Sequence, residues 1–153
     1  MKKFLCLMLL LGLIQIRAFA EQTGRWGLGV VAGEPMGVTG TYWFDEKAAI
    51  DFGYGFNNDG ILFGDYLWHG WPLRALEETG KMTFYLGLGA RYENEKHGDD
   101  KYAARVPLGV NYLFDKSPFE VFAELVPVVQ FKPDGDLNFD AGIGVRFYFD
   151  RFR

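Results

Sequence analysis

The chain has 153 residues, 49% of them hydrophobic and 18% aromatic, and a formal net charge of −4. This is too apolar for a disordered chain, and one cysteine excludes a disulfide scaffold or a cysteine-rich metal site. An acidic balance argues against nucleic-acid binding, which needs a basic footprint.

The chain opens with a targeting pattern. Lys2 and Lys3 precede an apolar run over 4–14, and Ala18-Phe19-Ala20 offers small residues where a signal peptidase reads. The pattern predicts a secretory signal peptide over 1–20 and one mature domain over 21–153; an uncleaved anchor helix is the other reading, and the run is short for it. Cleavage removes three cations and no acids, so the formal charge moves from −4 to −7. It also removes Cys6, which lacks the small neighbours of a lipoprotein site. No later apolar run reaches the ~18 residues of a membrane helix.

Period-2 alternation then recurs along the mature chain and predicts eight strands. They cover residues 25–32, 38–44, 48–56, 61–69, 81–92, 101–114, 119–131 and 138–149. Turn chemistry separates them: Gly-Glu-Pro-Met-Gly at 33–37, Asn-Asn-Asp-Gly at 57–60, a charged loop over 93–100, Asp-Lys-Ser-Pro at 115–118 and Lys-Pro-Asp-Gly at 132–135. Residues 70–80 read as a longer link in which 73–78 could form a helical turn. Consecutive strands joined by short turns form a meander. Pro107 and Pro127 fall mid-strand, nearly opposite each other. Lacking N–H groups, they predict a bulge or a locally broken ladder.

Alternation fits a soluble barrel, apolar inside, or a membrane barrel, apolar outside. Size separates the two. One face carries Trp, Phe, Tyr, Leu, Ile and Val on every strand, and an eight-stranded interior cannot hold them all. The other face carries Gly27, Gly29, Gly53, Gly55, Gly87, Gly89, Gly109, Gly142 and Gly144 with most of the charges, which suits the crowded concave side. Aromatics cluster at strand ends. Trp26, Tyr42, Phe44, Trp68, Tyr112 and Phe114, with Phe147 and Phe149, form one belt on the apolar face; Phe56, Tyr92, Tyr102, Phe131 and Phe139 fall at the other end.

On these residues the chain resembles the small eight-stranded outer-membrane barrels of Gram-negative bacteria, the OmpA, OmpX and opacity-protein type. The last strand carries the more specific part. Gly144-Val145-Arg146-Phe147-Tyr148-Phe149 resembles the terminal assembly signal of such proteins, with Gly142 where a polar residue is usual and four residues beyond Phe149. The resemblance implies an all-β, up-and-down transmembrane barrel in the outer membrane. Its partners would be outer-membrane lipid, lipopolysaccharide and the barrel-assembly machinery, and it would be a monomer. Gly142, Gly144, Phe147 and Phe149 would serve in assembly.

The inward face carries Arg25, Arg91, Arg105 and Arg146 against Asp51, Asp65, Glu120, Glu124 and Asp140. Enclosed charges must pair, so these predict an ion-pair network that fills the lumen, with Glu124 a partner for Arg105. A selectivity filter or proton path is the sharper alternative. Small barrels that modify lipids use Ser and His constellations. Here Ser117 is the one serine, and neither His69 nor His97 offers it an oriented base. Neither an enzyme, a cofactor nor a metal site is expected. The reading is a non-enzymatic outer-membrane barrel with short loops and a structural or minor binding role; a soluble lipocalin-like carrier and a narrow channel are the alternatives.

Overall fold

The computed structural model describes residues 25–57, 60–73 and 79–149. The expected signal peptide and residues 74–78 of the expected helical turn lie outside the described residues, as do the side chains of Arg25 and Leu73. The described chain contains only strands and turns: β1 (Arg25–Gly33), β2 (Gly37–Trp43), β3 (Ala48–Gly55), β4 (Ile61–Leu73), β5 (Gly80–Glu93), β6 (Lys101–Arg105), β7 (Leu108–Phe114), β8 (Phe119–Lys132) and β9 (Asp136–Tyr148). All neighbours are antiparallel, and β9 pairs back onto β1 to close the wall. Strands β6 and β7 occupy one place between β5 and β8, so the wall has eight positions.

Local chemistry sets the turns. Asp45 accepts hydrogen bonds from the amides of Lys47 (2.7 Å) and Ala48 (2.8 Å), fixing the β2–β3 hairpin. Gly33 closes β1 with φ at 135°, a conformation open to glycine.

The register gives the barrel its shape. Gly29 pairs with Arg146 on β9 in one direction. Taken the other way round, through Thr39, Gly53, Phe63, Arg91, Ala103 and Gln130, it arrives at Asp136, ten residues away on the same strand. With strands ~4.8 Å apart and ~3.3 Å per residue, a shear of ten over eight positions tilts the strands about 40° from the axis.

Two expectations need correction. The fourth strand does not stop at His69 but runs to Leu73, and a bulge at Gly70 shifts the register between His69 and Trp71. The extra residue turns Trp71 outward, where strict alternation from inward His69 would have turned it in. The sixth predicted strand is divided at Val106–Pro107, although the pairing numbers on either side agree (Arg105 with Val128, Leu108 with Leu125). The ladder therefore breaks without slipping at the prolines. The amides of Val106 and Gly87 still donate to the carbonyls of Pro127 (3.0 Å) and Pro107 (2.7 Å). The return bonds are missing because proline has no N–H. The nearby bulge is on β8, where Phe131 is the extra residue between Gln130 and Lys132, opposite Tyr102 and Ala103.

Inside and outside follow the alternation. Among the described residues thirty large apolar side chains are exposed, whereas Asp51, Asp65, Arg105, Glu120, Asp140 and Arg146 are buried. The lumen is not purely polar: Ile61, Leu67, Tyr85, Phe122, Val126, Val128 and Tyr148 are buried there too.

Candidate functional site: a charge network in the barrel lumen

The lumen charges form three tiers. The lowest lies near the rim where β1 begins. There Arg146 donates to Glu120 (3.1 Å), to the Thr39 hydroxyl (3.2 Å) and to Asp51. Tyr148 donates to Glu120 and accepts from the Trp43 indole N–H (2.8 Å). The guanidinium carbon of Arg146 lies 3.9 Å from the centre of the Phe122 ring, a cation–π contact away from water.

The middle tier centres on Arg105, which is 0% exposed. Its Nε lies 3.1 Å from Asp65, not aligned for a hydrogen bond, and its Nη2 lies 3.9 Å from Glu124. The Phe63 ring centre lies 4.2 Å from its guanidinium carbon. Tyr85 donates to the other oxygen of Glu124 (3.0 Å). Asp65 is therefore the nearer partner of Arg105, and the expected Glu124 is the more distant one.

In the upper tier Arg91 donates to Asp140 (2.7 Å) and Glu93 (2.6 Å), while Lys101 reaches Glu95 (2.7 Å) and Glu93 (3.6 Å). A polar cavity of about 260 Å³ opens above it, lined by Glu34, Arg91, Glu93, Lys101, Gln130 and Asp140 among others. The structure thus brings Asp51, Asp65, Arg91, Arg105, Glu120, Glu124, Asp140 and Arg146 into the lumen. The Arg25 side chain lies outside the described residues.

The glycines make room for this packing. Gly53 faces Phe63 across the ladder, Gly109 faces Tyr85, Gly144 faces Phe122, Gly27 faces Tyr148 and Gly87 faces Leu67. A Cβ built on any of the five would collide with the side chain opposite. Phe63, Phe122, Tyr85 and Tyr148 then contact Arg105, Arg146, Glu124 and Glu120 respectively. Each of these four charged groups, in the lower and middle tiers, contacts a ring held over a glycine.

Sequence reasoning missed Glu93, assigned to a loop, together with Thr39, Trp43, Phe63, Phe122 and Tyr148. Their parity was the available signal: Glu93 stands two residues from Arg91, Phe63 two from Asp65, and Tyr148 two from Arg146. Of the candidates for enzyme chemistry, His69 is buried between Trp43 (ring centres 4.2 Å apart) and Tyr85 (5.1 Å). The Ser117 hydroxyl accepts from the Phe119 amide (3.3 Å) in the β7–β8 turn. Among the described residues no three His, Cys, Asp or Glu side chains are grouped to hold a metal ion.

The lower belt packs ring on ring along the outer wall. Trp26 meets Tyr42 (4.6 Å), Tyr42 meets Phe44 (5.2 Å), Tyr66 meets Trp68 (4.6 Å), Tyr112 meets Phe114 (4.8 Å) and Phe147 meets Phe149 (5.2 Å). Gly142 and Gly144 lie on the inner face of β9.

Among solved structures the chain is similar to the N-terminal β-barrel domain of Pseudomonas aeruginosa OprF. The TM-score is 0.56 at 16% identity, over 82% of this chain and 96% of that one. The chain has the fold of that domain. It is an all-β, closed, eight-stranded antiparallel barrel, the architecture of the small barrels it resembles in sequence. No family model and no curated protein matches the sequence.

Proposed function

We propose that the chain is an integral outer-membrane barrel whose lumen is closed by its charge network, with a structural and non-enzymatic role in the envelope. One observation carries the reading: the polarity of the wall is inverted. Leu28, Val30, Leu88, Ile143 and Phe139 face outward and stand 51%, 57%, 57%, 69% and 61% exposed, while Arg105 and Arg146 are buried inside. Exposing that much apolar surface to water is unfavourable at roughly 25 cal/mol per Å², and lipid removes the penalty. A soluble carrier needs the opposite arrangement, an apolar cavity within a polar wall, and charged tiers fill this lumen instead. The expected signal peptide, the barrel fold and the glycine–aromatic pattern of β9 support export and insertion. On this reading Gly142, Gly144, Phe147 and Phe149 are recognised by the assembly machinery, lipid and lipopolysaccharide surround a monomer, and no cofactor is used.

Cell fractionation tests the proposal. The protein should sediment with outer membranes, need detergent for extraction, and migrate differently on gels before and after boiling. Recovery in a soluble fraction without detergent would rule it out.

A further inference from the structure

The outer wall is not smooth. An open groove of about 850 Å³ is cut into it, and the outward side chains that line it carry no charge. One row of the ladder marks its course: Ala32, Ile143, Ala123, Val110, Phe84 and Trp71 are paired in succession across β1, β9, β8, β7, β5 and β4. Short side chains at Ala32, Ala123 and Val110 lower this row beside Ile143 and Phe84, which stand out of it, and the next outward row, Leu86, Leu108, Leu125 and Ala141, forms the facing side. Trp71, turned outward by the Gly70 bulge and 61% exposed, stands at the lower end.

Resting on the membrane reading above, we propose that this groove binds one acyl chain of a glycerophospholipid in the leaflet that meets the Trp26–Trp68 belt. The dimensions support a chain in one leaflet. Five interstrand steps of ~4.8 Å make the row about 24 Å long. With strands tilted about 40°, the row climbs roughly 15 Å along the membrane normal, half of the ~30 Å hydrocarbon core. Ala32, at the upper end, stands six residues above Trp26 on β1, about 15 Å at the same tilt.

The shape argues for a flexible occupant. The row passes around most of the wall, and a second rigid barrel, itself convex, touches a convex wall along only a strand or two. A hydrocarbon chain can bend to follow the slot. Burying the floor also restores the dispersion contacts that a gap forfeits.

Brominated lipids quench a tryptophan that touches their chains. Two variants keep one outward tryptophan each, with Trp43 left in the lumen: Trp26→Phe/Trp68→Phe retains Trp71, and Trp26→Phe/Trp71→Phe retains Trp68. Each is reconstituted in vesicles of short-chain phosphatidylcholine containing a small fraction of long-chain brominated phosphatidylcholine. Trp71 quenching should exceed Trp68 quenching by about twofold or more, the excess expected of a site that prefers the chain filling it. Filling the floor with Ala123→Leu, or separately Ala32→Leu, should bring Trp71 down to the Trp68 curve. Superimposed curves in the unfilled protein, or an excess that survives both fillings, would overturn the proposal. So would a dimer in detergent that the fillings dissociate, since that gives the groove to a second copy. No quenching at either tryptophan would instead remove the membrane reading itself.

Discussion

Phe122 sits over the backbone of Gly144 on the neighbouring strand, and its ring centre lies 3.9 Å from the guanidinium carbon of Arg146. Glycine, ring and cation form one unit. The glycine supplies no packing of its own; it lets the ring lie against the wall and leaves height for the charge. Gly53, Phe63 and Arg105 repeat the unit one tier above.

Gly144→Ala should therefore act on the charge rather than on the strand alone. The added methyl displaces the Phe122 ring toward Arg146, and overpacking of this kind destabilises by ~1–3 kcal/mol. Gly70→Ala is the control, because a Cβ there meets nothing within 4 Å, and a change within ~0.5 kcal/mol is expected. Urea unfolding in detergent or bilayers measures both. Equal effects at the two sites would contradict the account.

Arg146→Ala leaves Asp51 and Glu120 facing each other as buried acids. Removing one partner of such a network destabilises by ~3–5 kcal/mol. Arg146→Met with Asp51→Asn and Glu120→Gln removes the charges together and should be less damaging than the sum of the single changes. Additive losses would mean that the three residues are not coupled. Arg105→Ala should behave alike, with Asp65 its main partner and Glu124 the lesser one.

The tiers also bear on conductance. Arg146, Arg105 and Arg91 each span toward acids on other strands, and an eight-stranded bore leaves little room beside them. Wild-type protein in planar bilayers should show no stable porin-sized current. A steady ion-selective current, lost on Arg105→Ala while the barrel stays folded, would make the network a filter.

Much of this was legible in the sequence because strands have a period of two. Alternation placed Asp51, Asp65, Glu120, Asp140 and Arg146 on one face and Trp26, Leu28 and Val30 on the other. Three features escaped it. The bulge at Gly70 reverses parity, and nothing in Trp68-His69-Gly70-Trp71 states that glycine will be the extra residue. Phe63 and Phe122 read as ordinary apolar residues although their parity with Asp65 and Glu120 turns them inward; that Gly53 and Gly144 stand opposite them follows only from the register. Ion-pair choice depends on three dimensions. Asp65 and Glu124 lie on different strands, and only tilt and shear bring Asp65 closer to Arg105.

The inverted wall is the central claim, and spin-label accessibility at one outward site tests it most directly. Leu88 stands mid-strand in β5, 57% exposed. With Leu88→Cys labelled in reconstituted bilayers, relaxation should be strong with oxygen, which concentrates in hydrocarbon, and weak with a water-soluble nickel chelate. The reverse order, strong with the chelate and weak with oxygen, would place Leu88 in water and contradict the account.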